Sequence, residues 1–192
     1  MEQILAWHFT GGTLRDGSPL PADGVWLKHK GPLVICKSGL HASIDPFDAL
    51  RYAPGATLCR VALRGKIARG DDKLCATERM IICRMDATEL LRYFARMQAL
   101  SVVHSWDAPD VVLDWLMTGD TSIQNAAWSA AWSAAGSAAG SAAWSAAGSA
   151  WSAWSAAWSA AGSVAWSAAG SAWSAARDDF NLLINECFEG AK

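Results

Sequence analysis

From Ile4 to Met85 the chain alternates short apolar, β-prone runs with polar punctuation, and from Asp86 the apolar residues recur at helical spacing. The runs Ile4 to Thr10, Val25 to His29, Leu33 to Cys36, Thr57 to Leu63 and Arg79 to Met85 are separated by clusters such as Arg15-Asp-Gly-Ser-Pro19 and Arg69-Gly-Asp-Asp72. Such spacing predicts a small, mainly antiparallel sheet. A helix of one or two turns should interrupt it at Asp45-Pro-Phe-Asp-Ala-Leu-Arg-Tyr52, with Asp45 as N-cap, Pro46 at the first helical position and Pro54-Gly55 as the stop. Asp86-Ala-Thr-Glu89 is a capping-box variant, and Leu90, Leu91, Phe94, Met97 and Gln98 follow on one face, which predicts a helix to about Val103 turned toward the sheet. A second helix is expected after Asp107, with Pro109 in its first turn, Val111, Val112, Trp115 and Leu116 as its buried stripe and an end near Gly119.

The expected fold class is α+β. A β-rich head with flanking helices should occupy residues 1–119, with the sheet over 1–85 and the helices over 86–118. A helical repeat tract is expected over 120–177, and a charged amphipathic closing segment over 178–192, where Phe180, Leu183, Ile184, Cys187 and Phe188 share one face and would cap the end of the repeat.

From about Asn125 to Arg177 the chain is written almost wholly in Ser, Ala, Trp and Gly, in units such as Ser129-Ala-Ala-Trp132, with no charge between Asp120 and Arg177. In a helix, a four-residue step advances the stripe by about 40° and a three-residue step sets it back by about 60°. The short units Ser149-Ala-Trp151, Ser152-Ala-Trp154 and Ser171-Ala-Trp173 cancel the drift. Trp144, Trp151, Trp154, Trp158, Trp166 and Trp173 then fall within a sector of about 120°, with Gly148, Gly162 and Gly170 in or beside it. Trp128 and Trp132 belong to an earlier stretch that winds around the axis. Five interior glycines cost about 5 kcal/mol against Ala, which two or three buried indoles would offset. The expectation is a Trp/Gly-striped helix that associates with copies of itself, a Trp from one filling a glycine notch on another. A stack bent at the glycines, or a tract expanded by codon duplication alone, would carry the same residues.

Charge and cysteine usage narrow the partners. Sixteen Lys+Arg against eighteen Asp+Glu, without a long single-sign run, leave no electrostatic footprint for nucleic acid or anionic lipid. Ser and Gly at nearly every turn make the tract a poor membrane span, although the chain is 52% hydrophobic. Five cysteines without a C-x-x-C pair predict reduced thiols and no metal site. The first residues lack the layout of a secretory signal, so a cytoplasmic location is expected.

Val34-Ile-Cys-Lys-Ser-Gly-Leu-His-Ala-Ser43, Asp45-Pro-Phe-Asp-Ala-Leu-Arg-Tyr-Ala-Pro-Gly55, Cys59-Arg-Val-Ala-Leu63 and Val102-Val-His-Ser-Trp-Asp-Ala-Pro-Asp-Val111 resemble an uncharacterised group of phage, prophage and metagenomic proteins that join such a domain to Ala-rich low-complexity repeats. The resemblance implies a modular protein of a phage-infected or lysogenic bacterial host. A looser likeness is to ADP-ribosyltransferase-like folds, through Trp7-His8-Phe9, Gly39-Leu-His-Ala-Ser43 and Ala76-Thr-Glu-Arg-Met-Ile-Ile82. That likeness implies His8 and His41 around an NAD ribose and Glu78 at the sugar centre. Read as residues alone, the histidines are hydrogen-bonded structural groups and Glu78 a solvated or paired carboxylate.

The leading functional expectation is a non-enzymatic protein without cofactor that forms homo-oligomers, or captures a host or phage protein, through Trp128, Trp132, Trp144, Trp151, Trp154, Trp158, Trp166 and Trp173. The alternatives are an NAD-dependent enzyme and an immunity or anti-defence binder.

Overall fold

The computed structural model describes residues 3–101, 103–134, 170 and 172–189. Trp144, Trp151, Trp154, Trp158, Trp166, Gly148 and Gly162, and with them the Trp/Gly stripe, lie outside the described residues. The chain divides into two compact units, Met1–Leu91 with Arg177–Lys192, and Arg92–Ala176.

The first unit is an antiparallel sheet with helices, so the protein is α+β. Its elements are β1 (Ile4–Thr10), β2 (Trp26–Lys28), β3 (Leu40–Ala42), α1 (Pro46–Leu50), β4 (Thr57–Arg69) and β5 (Leu74–Asp86). The sheet runs β1-β4-β5-β2, and β3 also pairs with β5. One edge of β5 carries β4, and the other is shared by β3 at Leu74–Ala76 and β2 at Glu78–Met80. Just beyond β3 the chain meets β1: Trp7 N–H donates to Ser43 O (2.7 Å), and Ser43 N–H to Trp7 O (2.9 Å). The sheet therefore curls around a core of Ala6, Ala42, Cys59, Val61, Leu63, Leu74, Ala76 and Ile81. Alanines at 6, 42 and 76 leave room for the larger Val61, Leu63 and Ile81, a small-and-large alternation suited to tight curvature.

The strands β4 and β5 are longer than the predicted runs Thr57 to Leu63 and Arg79 to Met85. Gly65 reads as a break in the sequence, but its φ of +81° absorbs an irregularity in register between Arg64 and Ile67, and the ladder continues. Thr77 Oγ1 sits where a Gly65 side chain would be and accepts the Lys66 N–H at 3.0 Å. The expected strand Leu33 to Cys36 is instead a turn: Lys37 and Ser38 N–H both return to Val34 O, and Cys36 adopts a left-handed φ of 67°.

Trp7, Phe9, Leu58 and Ala62, on the opposite face of β1 and β4, are also buried. A helix over residues 172–189 returns the closing segment to this side of the sheet. Phe188 meets the Trp7 ring edge-on at 4.8 Å, and Phe180, fully buried with Ile184, meets Phe47 of α1 at 5.8 Å. Asp45 occupies the N-cap position of α1 as expected, yet its side chain makes no capping bond. Its carboxylate pairs with Arg177, and the Phe47 N–H is taken by Asn181 Oδ1 at 3.0 Å. Arg177 also grips the buried Asp48 through two bonds, at 2.7 and 2.8 Å.

α2 (Thr88–Ser101) begins with Asp86 Oδ1 accepting the Thr88 N–H at 2.9 Å, one position earlier than a capping box would place that bond. Leu90, Leu91, Phe94, Met97 and Gln98 are half-buried, and no residue of α2 is fully buried. In the second unit, α3 (Asp110–Thr118) ends at Gly119, whose φ of 70° lets its N–H reach Trp115 O at 2.8 Å. Val112 and Leu116 of α3 are buried with Ala127, from a helix over residues 124–134, while Val111, Trp115, Ala130 and Ala131 pack around them partly buried.

Candidate functional site

Two places hold the residues singled out by the sequence. The first is an open cleft of about 1010 Å³ in the first unit. β1 supplies His8, directly opposite Cys59 on the same face as the buried Ala6. β3 supplies His41, and β5 supplies Arg79, whose Nη1–H donates to His41 O at 2.6 Å. Both imidazoles line the cleft. Burial holds the His8 pKa well below its usual value, with Arg79 and then His41 adding to the shift. Burial also lowers that of His41, followed by the charges of Lys73 and Arg79. His41 Nε2 accepts the Cys36 N–H at 3.0 Å, which assigns its proton to Nδ1 and keeps the ring neutral.

Arg79 is 6% exposed, and burial brings its pKa down to about 10, so it stays charged at neutral pH. Among the described residues it has no carboxylate partner. Arg15, Lys28, Lys37 and Lys73 also line the cleft, against a single lining carboxylate among the described residues, Asp16, which is bonded to the amide and hydroxyl of Ser18. Lys73 Nζ lies 3.4 Å from the centre of the Tyr52 ring and donates to Cys36 Sγ at 3.2 Å.

Glu78, the third residue of the NAD-dependent alternative, is not part of the cleft lining. Its carboxylate accepts from Arg64 Nε at 2.7 Å, and this hydrogen bond lowers its pKa. The fold thus brings His8 and His41 together without Glu78. A transferase reaction at those imidazoles would need a carboxylate beside them. Arg79 escaped the sequence reading because a lone arginine in a strand looks like an exposed charge. The signal available was its place in Glu78-Arg-Met-Ile-Ile82, immediately before an apolar run.

The second place is the start of the repeat. On the helix over 124–134, Ala127, Ala130 and Ala131 face the α3 cluster, whereas Trp128 and Trp132 are 72% and 75% exposed. Four residues apart, the two indoles stack on each other with centroids 6.4 Å apart and planes at 29°. Trp173, on the closing helix, is 53% exposed, and a Cβ added at Gly170 would meet open space. The alanines of this first repeat unit are what pack inside the chain, and its tryptophans form an apolar face.

Among the described residues, no helix is long and apolar enough to cross a membrane, and no three His, Cys, Asp or Glu side chains are grouped as metal ligands. No curated protein and no solved structure matches the chain. Residues 20–93, which run from the approach to β2 into α2 and carry His41 and Arg79, match the family model described as a domain of unknown function (DUF7666).

Proposed function

We propose that this protein acts by self-association: the repeat joins copies of the chain through its indoles, and the α+β unit is the module so displayed. The observation that carries this reading is the Trp128–Trp132 pair, two stacked rings left open by the chain's own fold. An indole offers roughly 200 Å² of apolar surface, so covering most of one ring is worth about 3 kcal/mol at 25 cal/mol per Å². A second copy is the occupant that the sequence favours, because one tract contains both the large rings and the glycine gaps that would receive them. The resemblance to phage and prophage proteins with Ala-rich repeats fits a modular assembly protein of an infected or lysogenic host. Capture of a host or phage protein is the competing use of the same rings.

Replacing Trp128 and Trp132 with Ser leaves the Ala127 face untouched and should return the protein to its chain mass of 20.4 kDa in light scattering. Equal masses would remove the role given to this pair, and a wild-type mass of 20.4 kDa would remove the self-association reading.

A further inference from the structure

Arg79 is an unusual residue to find at the bottom of a curled sheet. A guanidinium has five N–H donors, and the described residues provide this one with the His41 carbonyl and no carboxylate. Burying such a charge without a counter-ion opposes folding. Four further cations, Arg15, Lys28, Lys37 and Lys73, border the same cleft; Lys73 is paired with Asp72 at 3.9 Å and Lys28 stands opposite Glu78, while Asp16 on the rim bonds Ser18. The potential in the cleft is therefore positive despite the chain's formal net charge of -2.

We propose that this cleft binds a small phosphate ester, with the phosphate held by Arg79 and His8, and with Arg15 on the rim adding charge. The donors come from separate segments of the chain, so they converge from different directions. A tetrahedral dianion can accept from all of them, whereas a planar carboxylate would engage one edge of the guanidinium and leave the other cations unanswered. His8 can supply an N–H without adding a further positive charge beside Arg79. The volume calls for more than an ion: about 1010 Å³ is at the upper end of the range of roughly 300–1,000 Å³ typical of small-molecule sites, far more than one phosphate fills. Leu27, Leu40 and Tyr52 in the lining supply apolar surface for the organic part. All of these residues belong to the first unit, so the inference stands apart from self-association.

The test is thermal unfolding and calorimetry of the full chain with inorganic phosphate, ribose 5-phosphate, adenosine monophosphate and NAD, with sodium chloride holding ionic strength constant. A phosphate ester is expected to raise Tm saturably and to bind at least tenfold more tightly than inorganic phosphate. Arg79→Lys keeps the charge but loses the fork, and should weaken binding about tenfold or more. Should that buried substitution prevent folding, Arg15→Ala decides. Arg15 is exposed and lines the cleft, so this variant should change the ligand-free Tm little and lose affinity several-fold. No saturable shift with any ester would overturn the proposal, as would equal ester affinity in Arg15→Ala and wild type. Equal affinity for inorganic phosphate would overturn the ester assignment.

Discussion

Asn181 and Arg177 hold the first turn of α1 from 134 and 129 residues away along the chain. α1 is only five residues long, too short to persist without tertiary support. Removing Arg177 strands the Asp48 carboxylate, which is 5% exposed, and since Arg177 itself is one-third exposed the cost should be about 2 kcal/mol rather than the full value for a deeply buried pair. Asn181→Ala removes an N-terminal acceptor and should cost about 1 kcal/mol. Urea midpoints of Arg177→Met and Asn181→Ala check both, and wild-type midpoints would contradict the role given to the closing helix. His8 makes a separate prediction. Its folded pKa lies well below its unfolded value of about 6.5, so between the two the unfolded chain binds more protons and stability falls as pH drops. His41 acts in the same direction. Stability should therefore decline between about pH 7 and pH 5, before the low-pKa carboxylates Asp72 and Glu78 protonate. His8→Gln should flatten this slope in urea titrations, and an unchanged slope would exclude His8 as its source.

The β4–β5 hairpin makes the longest pairing in the sheet, and Gly65 is the point on which its continuity depends. Ala at that position would combine a φ of +81° with overlap on Thr77 Oγ1, so Gly65→Ala should cost about 1–3 kcal/mol and lower the thermal midpoint. A wild-type midpoint would mean that the irregularity can relax. How legible each element was in the sequence follows from its length and from where its partner lies. β1 matches its predicted span because seven residues bounded by Gly11-Gly12 carry a clear apolar signal. β3 went unseen because three residues are too few for alternation to register. Leu33 to Cys36 had strand-like composition, but Pro32 and Gly39 bracket a reversal that only the Val34–Ser38 pairing reveals. α3 and its Gly119 stop were readable from local chemistry. The amphipathic face of the closing segment was equally plain, but not the surface it covers, since periodicity identifies an apolar stripe and not its partner. The cleft was the least legible feature: His8, His41 and Arg79 are brought together by β-pairing between distant segments, and spacing along the chain says nothing of that.

The whole molecule places its chemistry and its apolar surface in different units. The first unit encloses the aromatics Phe9, Phe47 and Phe180 and lines its open cleft with cations. In the second, the first repeat residues pack through alanine and leave indoles open, the reverse of what a self-sufficient fold would do with its most apolar side chains. Self-association accounts for that inversion, because a ring pair of this size gains most when another copy covers it. Sedimentation equilibrium of the full-length wild-type chain over a hundredfold range of concentration tests this. The account predicts a mass that rises with concentration above the 20.4 kDa of one chain toward a fixed multiple. A mass of 20.4 kDa throughout, with Trp128 and Trp132 still open to solvent quenchers, would contradict it.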